Sequence, residues 1–267
     1  MGQGRKPDTR SASARGHTFG FDAPAADRLL GMDDDHFWLG PRRRLVLKLL
    51  RRLTHADSRR TGSVLEIGCG SGALLPELGG LGDTIVALDF HIKLLKQARR
   101  RFPQALVIQG NAEQLPLVDA RFDIILALDV IEHMDPILSL KEARRVAREG
   151  ALLLLSVPAS PALWSKFDVR AGHRKRYTRK DLEAELALAG WRPIGATHYQ
   201  FILYPVVWTL RSLLPVCAEQ IRPSRLLNRM LAAANELEVS LLSRMPLPFG
   251  SSLICWATTV PRQVKGR

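Results

Sequence analysis

The sequence predicts an α/β fold built on a doubly wound, mostly parallel sheet, and three observations carry that prediction. From Ser63 onward short apolar runs alternate with helix-patterned segments, as in strands joined by crossover helices. The run Ala151–Val157 is apolar at every position except Ser156, as a strand covered on both faces must be. Between the first strand and its helix the chain reads Glu66-Ile67-Gly68-Cys69-Gly70-Ser71-Gly72, a turn whose glycines let the backbone pass close to a ligand.

Taken in order, residues 1–18 are polar and basic without periodicity and are expected to form a disordered tail. Residues 19–60 turn helical, around Asp27–Gly31 and again after Pro41, where Leu45, Leu49 and Leu53 share a face; this is an expected helical lid. Val64–Ile67 is the first strand, Ala73–Leu78 begins a helix, Thr84–Asp89 is the second strand and Lys93–Phe102 a helix. Ala105–Gly110 is the third strand, Phe122–Asp129 the fourth, Ile137–Arg148 a helix and Ala151–Val157 the fifth strand. Arg179–Ala189 is a helix stopped by Gly190, a suitable C-terminal residue. A strand near Ile194–Phe201, a helix over Ser224–Met245 and a strand around Ser252–Val260 complete the chain. The expected core is 61–201 with 246–262, and 202–245 is a helical cap insertion. In that insertion Leu227, Met230, Leu231, Ala234, Leu237, Leu241 and Met245 form one apolar stripe. The stripe suits core packing, a cover over a hydrophobic pocket, a membrane surface or a homodimer.

At 267 residues with 46% apolar content, one elaborated domain is expected. No stretch reaches the roughly 18 apolar residues of a membrane span, and the first fifteen residues lack the apolar centre of a signal peptide. The expected location is cytoplasmic, with peripheral membrane contact open. Cys69, Cys217 and Cys255 are far apart and lack CxxC spacing, so neither disulfides nor a zinc site is expected, and no metal is assigned. The net charge of +13 divides as +6 over 1–60, −2 over 61–150 and +9 over 151–267. Such basic flanks attract anionic substrates, nucleic acid or membrane, or are simply a solvated surface.

The residues of the glycine turn point to a cationic ligand. The glycines at 68, 70 and 72 do not fit the spacing of a pyrophosphate fingerprint, and the preceding Glu66 would repel a pyrophosphate while attracting an ammonium or sulfonium. Asp89 ends the second strand, where a carboxylate meets ribose hydroxyls. Gly110-Asn111-Ala112-Glu113-Gln114-Leu115-Pro116 follows the third strand with groups able to read an adenine edge, and Leu128-Asp129-Val130-Ile131-Glu132-His133 ends the fourth at the strand-end crevice.

These stretches, over about 63–157, resemble the class I S-adenosylmethionine-dependent methyltransferases of the type 11, ubiquinone-biosynthesis-like branch. The resemblance implies a Rossmann-like seven-stranded sheet with a final antiparallel hairpin. It also implies S-adenosylmethionine held by Glu66, Gly68, Gly70, Asp89, Asn111, Ala112 and Leu128, and the adjoining Cys69, Gly72, Phe90, Glu113 and Asp129 are further expected contacts. Asn111 departs from the family's usual Asp, yet an amide still pairs with adenine. HFWxxxRRR at the start, GHRKRY near 172–177 and Pro246–Leu253 resemble a bacterial subgroup whose substrates are largely unassigned.

Methyl transfer needs alignment, exclusion of water and in some enzymes a base. His133 is a candidate base, or packs and caps the next helix. Asp168 and His173 are a candidate base and orienter, with Trp164, Arg174, Arg176 and Tyr177 as acceptor contacts; equally, these residues form an Arg-rich loop tied down by carboxylates. Trp38 and Arg42 are candidate lid contacts to the acceptor. The expected function is transfer of a methyl group, O-directed, to a small hydrophobic or lipid-linked acceptor such as a secondary metabolite, quinone, terpenoid or glycolipid. RNA or DNA methylation is the alternative enzyme, disfavoured because DVIEH replaces the Asn/Asp-Pro-Pro-aromatic motif of amine-directed enzymes; a non-catalytic cofactor-binding protein is the third reading.

Overall fold

The computed structural model describes residues 23–30, 36–55, 61–213, 224–242 and 246–260. The expected tail over 1–18, Cys217 and Met245 lie outside the described residues. Seven strands form one sheet: β1 (Thr61–Ile67), β2 (Gly82–Asp89), β3 (Leu106–Gln109), β4 (Phe122–Leu128), β5 (Ala147–Pro158), β6 (Trp191–Tyr199) and β7 (Ser252–Thr259). Their order is β3-β2-β1-β4-β5-β7-β6, with β7 antiparallel to both neighbours and the other pairs parallel. This is the doubly wound sheet with a closing antiparallel hairpin that the sequence predicts.

Alternation along each strand divides the core. Val64, Ile124, Leu126 and Leu154 point to one face and Leu65, Ile125, Leu153 and Leu155 to the other, all at most 1% exposed. On the first face lie α2 (Leu39–His55), α3 (Leu75–Leu78) and α4 (Ile92–Arg101); on the second lie α5 (Pro136–Val146) and α7 (Arg179–Leu188). The short helix α1 (Ala23–Leu30) packs beside α4.

Several boundaries shift. The fifth strand starts at Ala147, so α5 ends at Val146 and not at Arg148: the chain turns extended there because Ala120 and Arg121 donate their N–H groups to the carbonyls of Arg145 and Val146. The helix expected from Ala73 is only Leu75–Leu78. The segment after β5, read as irregular, holds α6 (Lys166–Ala171), opened by a capping box between Ser165 and Asp168 and closed by left-handed Gly172.

The apolar segment after β6 becomes α8 (Tyr204–Leu213), and α9 (Arg225–Leu241) packs on α2. The face that α9 buries is not its apolar stripe. Asn235, Glu238 and Val239 are buried, whereas Met230 is 63% and Leu237 59% exposed. Specific hydrogen bonds choose that face. Asn235 Nδ2 donates to the Phe37 carbonyl at 2.8 Å, the Phe37 N–H donates to Asn228 Oδ1 at 2.9 Å, and the Ile202 N–H donates to Glu238 Oε2 at 3.0 Å. Each satisfies a backbone group of a connecting segment that would otherwise be left unpaired. Arg44 of α2 pairs with Glu236 on the same side.

Candidate active site

The glycine turn is stitched to the end of β2: the N–H groups of Gly68 and Cys69 both donate to the Leu88 carbonyl, at 2.7 and 3.0 Å. Gly68 and Gly72 have φ of 69° and 75°, and packing explains both choices. A Cβ on Gly68 would lie 2.4 Å from Val130 Cγ2, and one on Gly72 2.7 Å from Ala98 Cα of α4. These glycines let the turn nest between β4's exit and α4, so their presence reports close packing as well as close approach to a ligand.

The strand ends, the glycine turn and the segments around Phe37 and α6 enclose a cavity of about 370 Å³. Its wall carries Glu66, Gly68, Cys69, Gly70, Asp89, Phe90, Asn111, Ala112, Leu128 and Asp129. Of the residues expected around the cofactor, Gly72 and Glu113 are absent from that wall. Glu113 instead uses Oε1 to accept the Asp135 N–H at 2.7 Å, clamping the loop after β4.

Glu66 is 4% exposed, and its Oε2 is buried without a hydrogen-bond partner among the described residues. Burial, followed by the neighbouring Asp89, pushes its pKa up to about 8, with Arg42 opposing. A carboxyl in this condition facing a cavity awaits a cationic donor. Asp89 is raised by burial too, but its oxygens are anchored: Oδ2 accepts the Gly70 N–H at 2.9 Å and Oδ1 the His91 N–H at 2.8 Å. Each oxygen retains lone-pair capacity toward the cavity. Asn111 Oδ1 accepts the Glu113 N–H at 2.8 Å, which orients its amide.

Asp129 ends β4 with φ of 55°, a strained left-handed value for a residue with a side chain. Two contacts hold it there: Ser156 Oγ donates to Oδ1 at 2.8 Å, and Arg42 pairs with Oδ2. Arg42 thus reaches across the cavity from α2, and burial lowers its pKa.

The cavity wall also carries Glu132, His133, His173 and Arg176. His133 and His173 stack edge to face with ring centres 5.0 Å apart. Burial, then His173, lowers the His133 pKa to about 3, so the ring is neutral. Glu132 is 1% exposed, and burial raises its pKa to about 8. Asp168 does not reach the wall. Fully buried, it accepts from His173 Nδ1 at 3.0 Å, Arg176 Nε at 2.8 Å, Arg211 Nη1 at 2.8 Å and the Ser165 N–H at 2.9 Å. Burial works against its ionisation, but the His173 hydrogen bond and the two guanidiniums prevail and hold it well below the usual carboxylate range. Every geometric feature of Asp168 is that of a hub orienting His173.

Among the acceptor candidates, Trp38, Arg42 and Arg176 line the cavity, whereas Trp164, Arg174 and Tyr177 do not. Tyr177 is sealed in the core, Trp164 is 43% exposed, and Arg174 points to solvent while its N–H donates to the Glu132 carbonyl at 2.7 Å. Phe37 of the expected lid lines the cavity beside Trp38, whereas sequence reasoning assigned no role to Glu132, Phe167 and Arg211, which also line it. Glu132 sits within the quoted DVIEH stretch and was findable there; Arg211 lies on a distant helix and carries no local signal.

Residues 65–155 match the family model described as a methyltransferase domain. The chain is 31% identical over 48% of its length, and 44% of the relative's, to a Mycobacterium tuberculosis protein named a probable S-adenosylmethionine-dependent methyltransferase. It is 30% identical over 52% of its length, and 58% of the relative's, to a malonyl-[acyl-carrier protein] O-methyltransferase of Pseudescherichia vulneris. The chain spans about half the length of these curated relatives. A crystal structure of an S-adenosylmethionine-dependent methyltransferase from Archaeoglobus fulgidus superposes with a TM-score of 0.53 at 19% identity, covering 81% of this chain and 94% of that one, a likeness of fold. The matching stretch, residues 65–155, runs from β1 through the glycine turn to β5, so this part of the chain is a methyltransferase domain seated on the sheet described above.

Proposed function

We propose that this protein transfers a methyl group to a small, largely apolar acceptor, most readily at oxygen. The observation that carries the reading is Glu66: a buried carboxyl with an unpartnered oxygen, on the cavity wall beside the glycine turn, suits the ammonium of the methionyl end. Asp89, fixed by two backbone N–H groups, would take the ribose hydroxyls, and the Asn111 amide and the backbone of Ala112 would face the adenine edge.

S-Adenosylmethionine, when bound, supplies an electrophilic methyl on a sulfonium. The chain's own residues place and shield the acceptor. Phe37, Trp38 and Leu29 close the cavity from the N-terminal side, and Phe167 and Met134 from the other, so the reacting groups meet with little water present. The segment 36–55 serves as a lid because Asn228 and Asn235 of α9 grip the Phe37 backbone. The test is calorimetric titration with S-adenosylmethionine, followed by labelled-methyl transfer into extracts of the source organism. Asp89→Ala and Gly70→Val should abolish cofactor binding; wild-type affinity in either would refute the reading.

The outer face of α9 supports a lipid-linked acceptor. Leu226, Met230 and Leu237 are 70%, 63% and 59% exposed on one face, with exposed Arg225 and Arg229 beside them. Apolar side chains flanked by arginines match an anionic membrane surface. Vesicles containing phosphatidylserine should sediment the protein, and Met230→Glu with Leu237→Glu should release it. Binding unchanged by these substitutions, or a dimer that they dissolve, would overturn this occupant.

A further inference from the structure

Glu132 poses a problem that neither the cofactor nor the hub at Asp168 answers. It is 1% exposed, it lines the cavity, and both carboxyl oxygens are buried without a hydrogen-bond partner among the described residues. A carboxyl so deeply buried, with only its own backbone N–H and the charges of Arg42 and Arg176 favouring its anion, is costly unless something else binds it.

Two imidazoles stand next to it. One ligand-capable atom from each of Glu132, His133 and His173 lies within 4.8 Å of the other two. The remaining contacts orient both rings. His133 Nδ1 lies 3.3 Å from the Gly172 carbonyl, and His173 Nδ1 lies 3.0 Å from Asp168 Oδ1. Both partners are acceptors, so each Nδ1 carries the proton and each Nε2 is the lone-pair end. A carboxylate or carbonyl behind a histidine is the arrangement that fixes a metal-binding tautomer. Arg176 and Arg211 lock Asp168 in turn, so His173 is oriented through two buried layers.

We propose that Glu132, His133 and His173 bind a divalent first-row transition ion, zinc in the first instance, that grips the acceptor through oxygen. Two histidines and one glutamate form a donor set for such ions, with the remaining coordination position open to water or substrate. Ligand atoms around zinc stand roughly 3.3–3.5 Å apart, given bonds of about 2.0–2.2 Å. The ligand atoms therefore draw together by up to about 1.5 Å from their separation of at most 4.8 Å. The cysteine spacing that argued against zinc in the sequence tests thiolate sites only and is blind to this set.

The inference rests on the methyltransferase reading and deepens it. An acceptor hydroxyl bound to the ion through oxygen loses its proton to solvent, because the cation stabilises the oxyanion. The oxygen lone pair then forms the bond to the methyl carbon as the carbon–sulfur bond breaks. That bond's electron pair stays on sulfur, and the sulfonium becomes a neutral thioether. No separate protein base is required, which fits a wall whose buried His133 is already hydrogen-bonded to a carbonyl. Acceptors with two adjacent oxygens, able to chelate, are the favoured class.

The test uses the full chain, stripped with chelator, passed through gel filtration and titrated with ZnCl2 and separately with CoCl2. Metal content is read by mass spectrometry, and cofactor affinity is measured in parallel without metal. The expected result is one ion per chain, with affinity at least tenfold weaker in both Glu132→Gln and His173→Ala, and cobalt absorption bands typical of nitrogen ligation. Glu132→Gln keeps the side chain's shape, so a fold failure in His173→Ala, detected by circular dichroism, leaves the first variant decisive. No stoichiometric ion, or an ion retained equally by both variants, overturns the site. If cofactor binds while no ion does, the metal site falls and the methyltransferase reading stands. If an ion binds through these residues while the cofactor does not, the site stands and the reading beneath it falls.

Discussion

Cofactor binding should expel a proton from Glu66. Its pKa, near 8, lies about three and a half units above the ordinary 4.5 because burial and Asp89 disfavour the anion; Arg42 from α2 opposes the shift and Glu77 from α3 adds to it. At pH 7 only about one carboxyl in ten is ionised, yet an ammonium needs the anion. Each unit below 8 costs about 1.4 kcal/mol, a factor of ten. Affinity should therefore be about tenfold weaker at pH 7, and about a hundredfold weaker at pH 6, than for the fully ionised site. Binding at pH 7 should release about 0.9 proton, read from calorimetric enthalpies in phosphate and Tris buffers. Glu66→Gln should abolish that release and flatten the acid limb. The same group has a stability signature. Its folded pKa is raised, so its stabilising contribution is complete below about 4.5 and is lost as pH rises through 8. The melting temperature of the free protein should decline across that window, and saturating cofactor should flatten the decline. Equal proton release in wild type and Glu66→Gln, or affinity constant from pH 6 to 8, would refute the assignment.

Two substitutions test how the site is held. Gly68→Ala forces a Cβ to within 2.4 Å of Val130 Cγ2 at a φ of 69°, so denaturant unfolding should report a loss of about 1–3 kcal/mol from overpacking and about 1–2 kcal/mol from the backbone. Adding Val130→Ala should recover the first part only; full recovery would show that the left-handed backbone is not strained. Arg211→Met removes a 2.8 Å bond to buried Asp168 while Arg176 remains to neutralise it. It should cost about 1.5–3 kcal/mol in the same assay, and a loss under about 0.5 kcal/mol would exclude Arg211 from the hub.

The sheet was legible because β-strands in this fold are apolar on both faces and their crossovers are short. A run such as Leu152–Leu155 suits a strand covered on both faces, and it pairs parallel with β4 and antiparallel with β7. The orientation of α9 was not legible, although its stripe was real. Periodicity counts apolar side chains, but the helix docks through Asn235 and Glu238, which are buried because they complete backbone hydrogen bonds of residues 37 and 202. Those partners lie 198 and 36 positions away, beyond the reach of any local pattern.

The site divides along the same line. The residues proposed to meet the cofactor lie at strand ends or just beyond them, so their order in the chain reveals them: Glu66, Asp89, Asn111 and Asp129 all reach one cavity. The acceptor side is assembled from α2, the segment after β5 and α8, whose approach no local spacing encodes. Asp168 illustrates the consequence. As a carboxylate five residues from a histidine it resembles a base, yet Arg211 arrives from α8 to complete its coordination, and both its oxygens are already occupied. A carboxylate held by two guanidiniums resists protonation, so its contribution is to aim the His173 ring. The carboxyl with neither oxygen hydrogen-bonded among the described residues is Glu132, one residue from the histidine that the motif advertised. In this cavity the carboxyls with oxygens unsatisfied among the described residues, Glu66 and Glu132, are where the proposed ligands would bind, and the satisfied groups around them hold the wall in place.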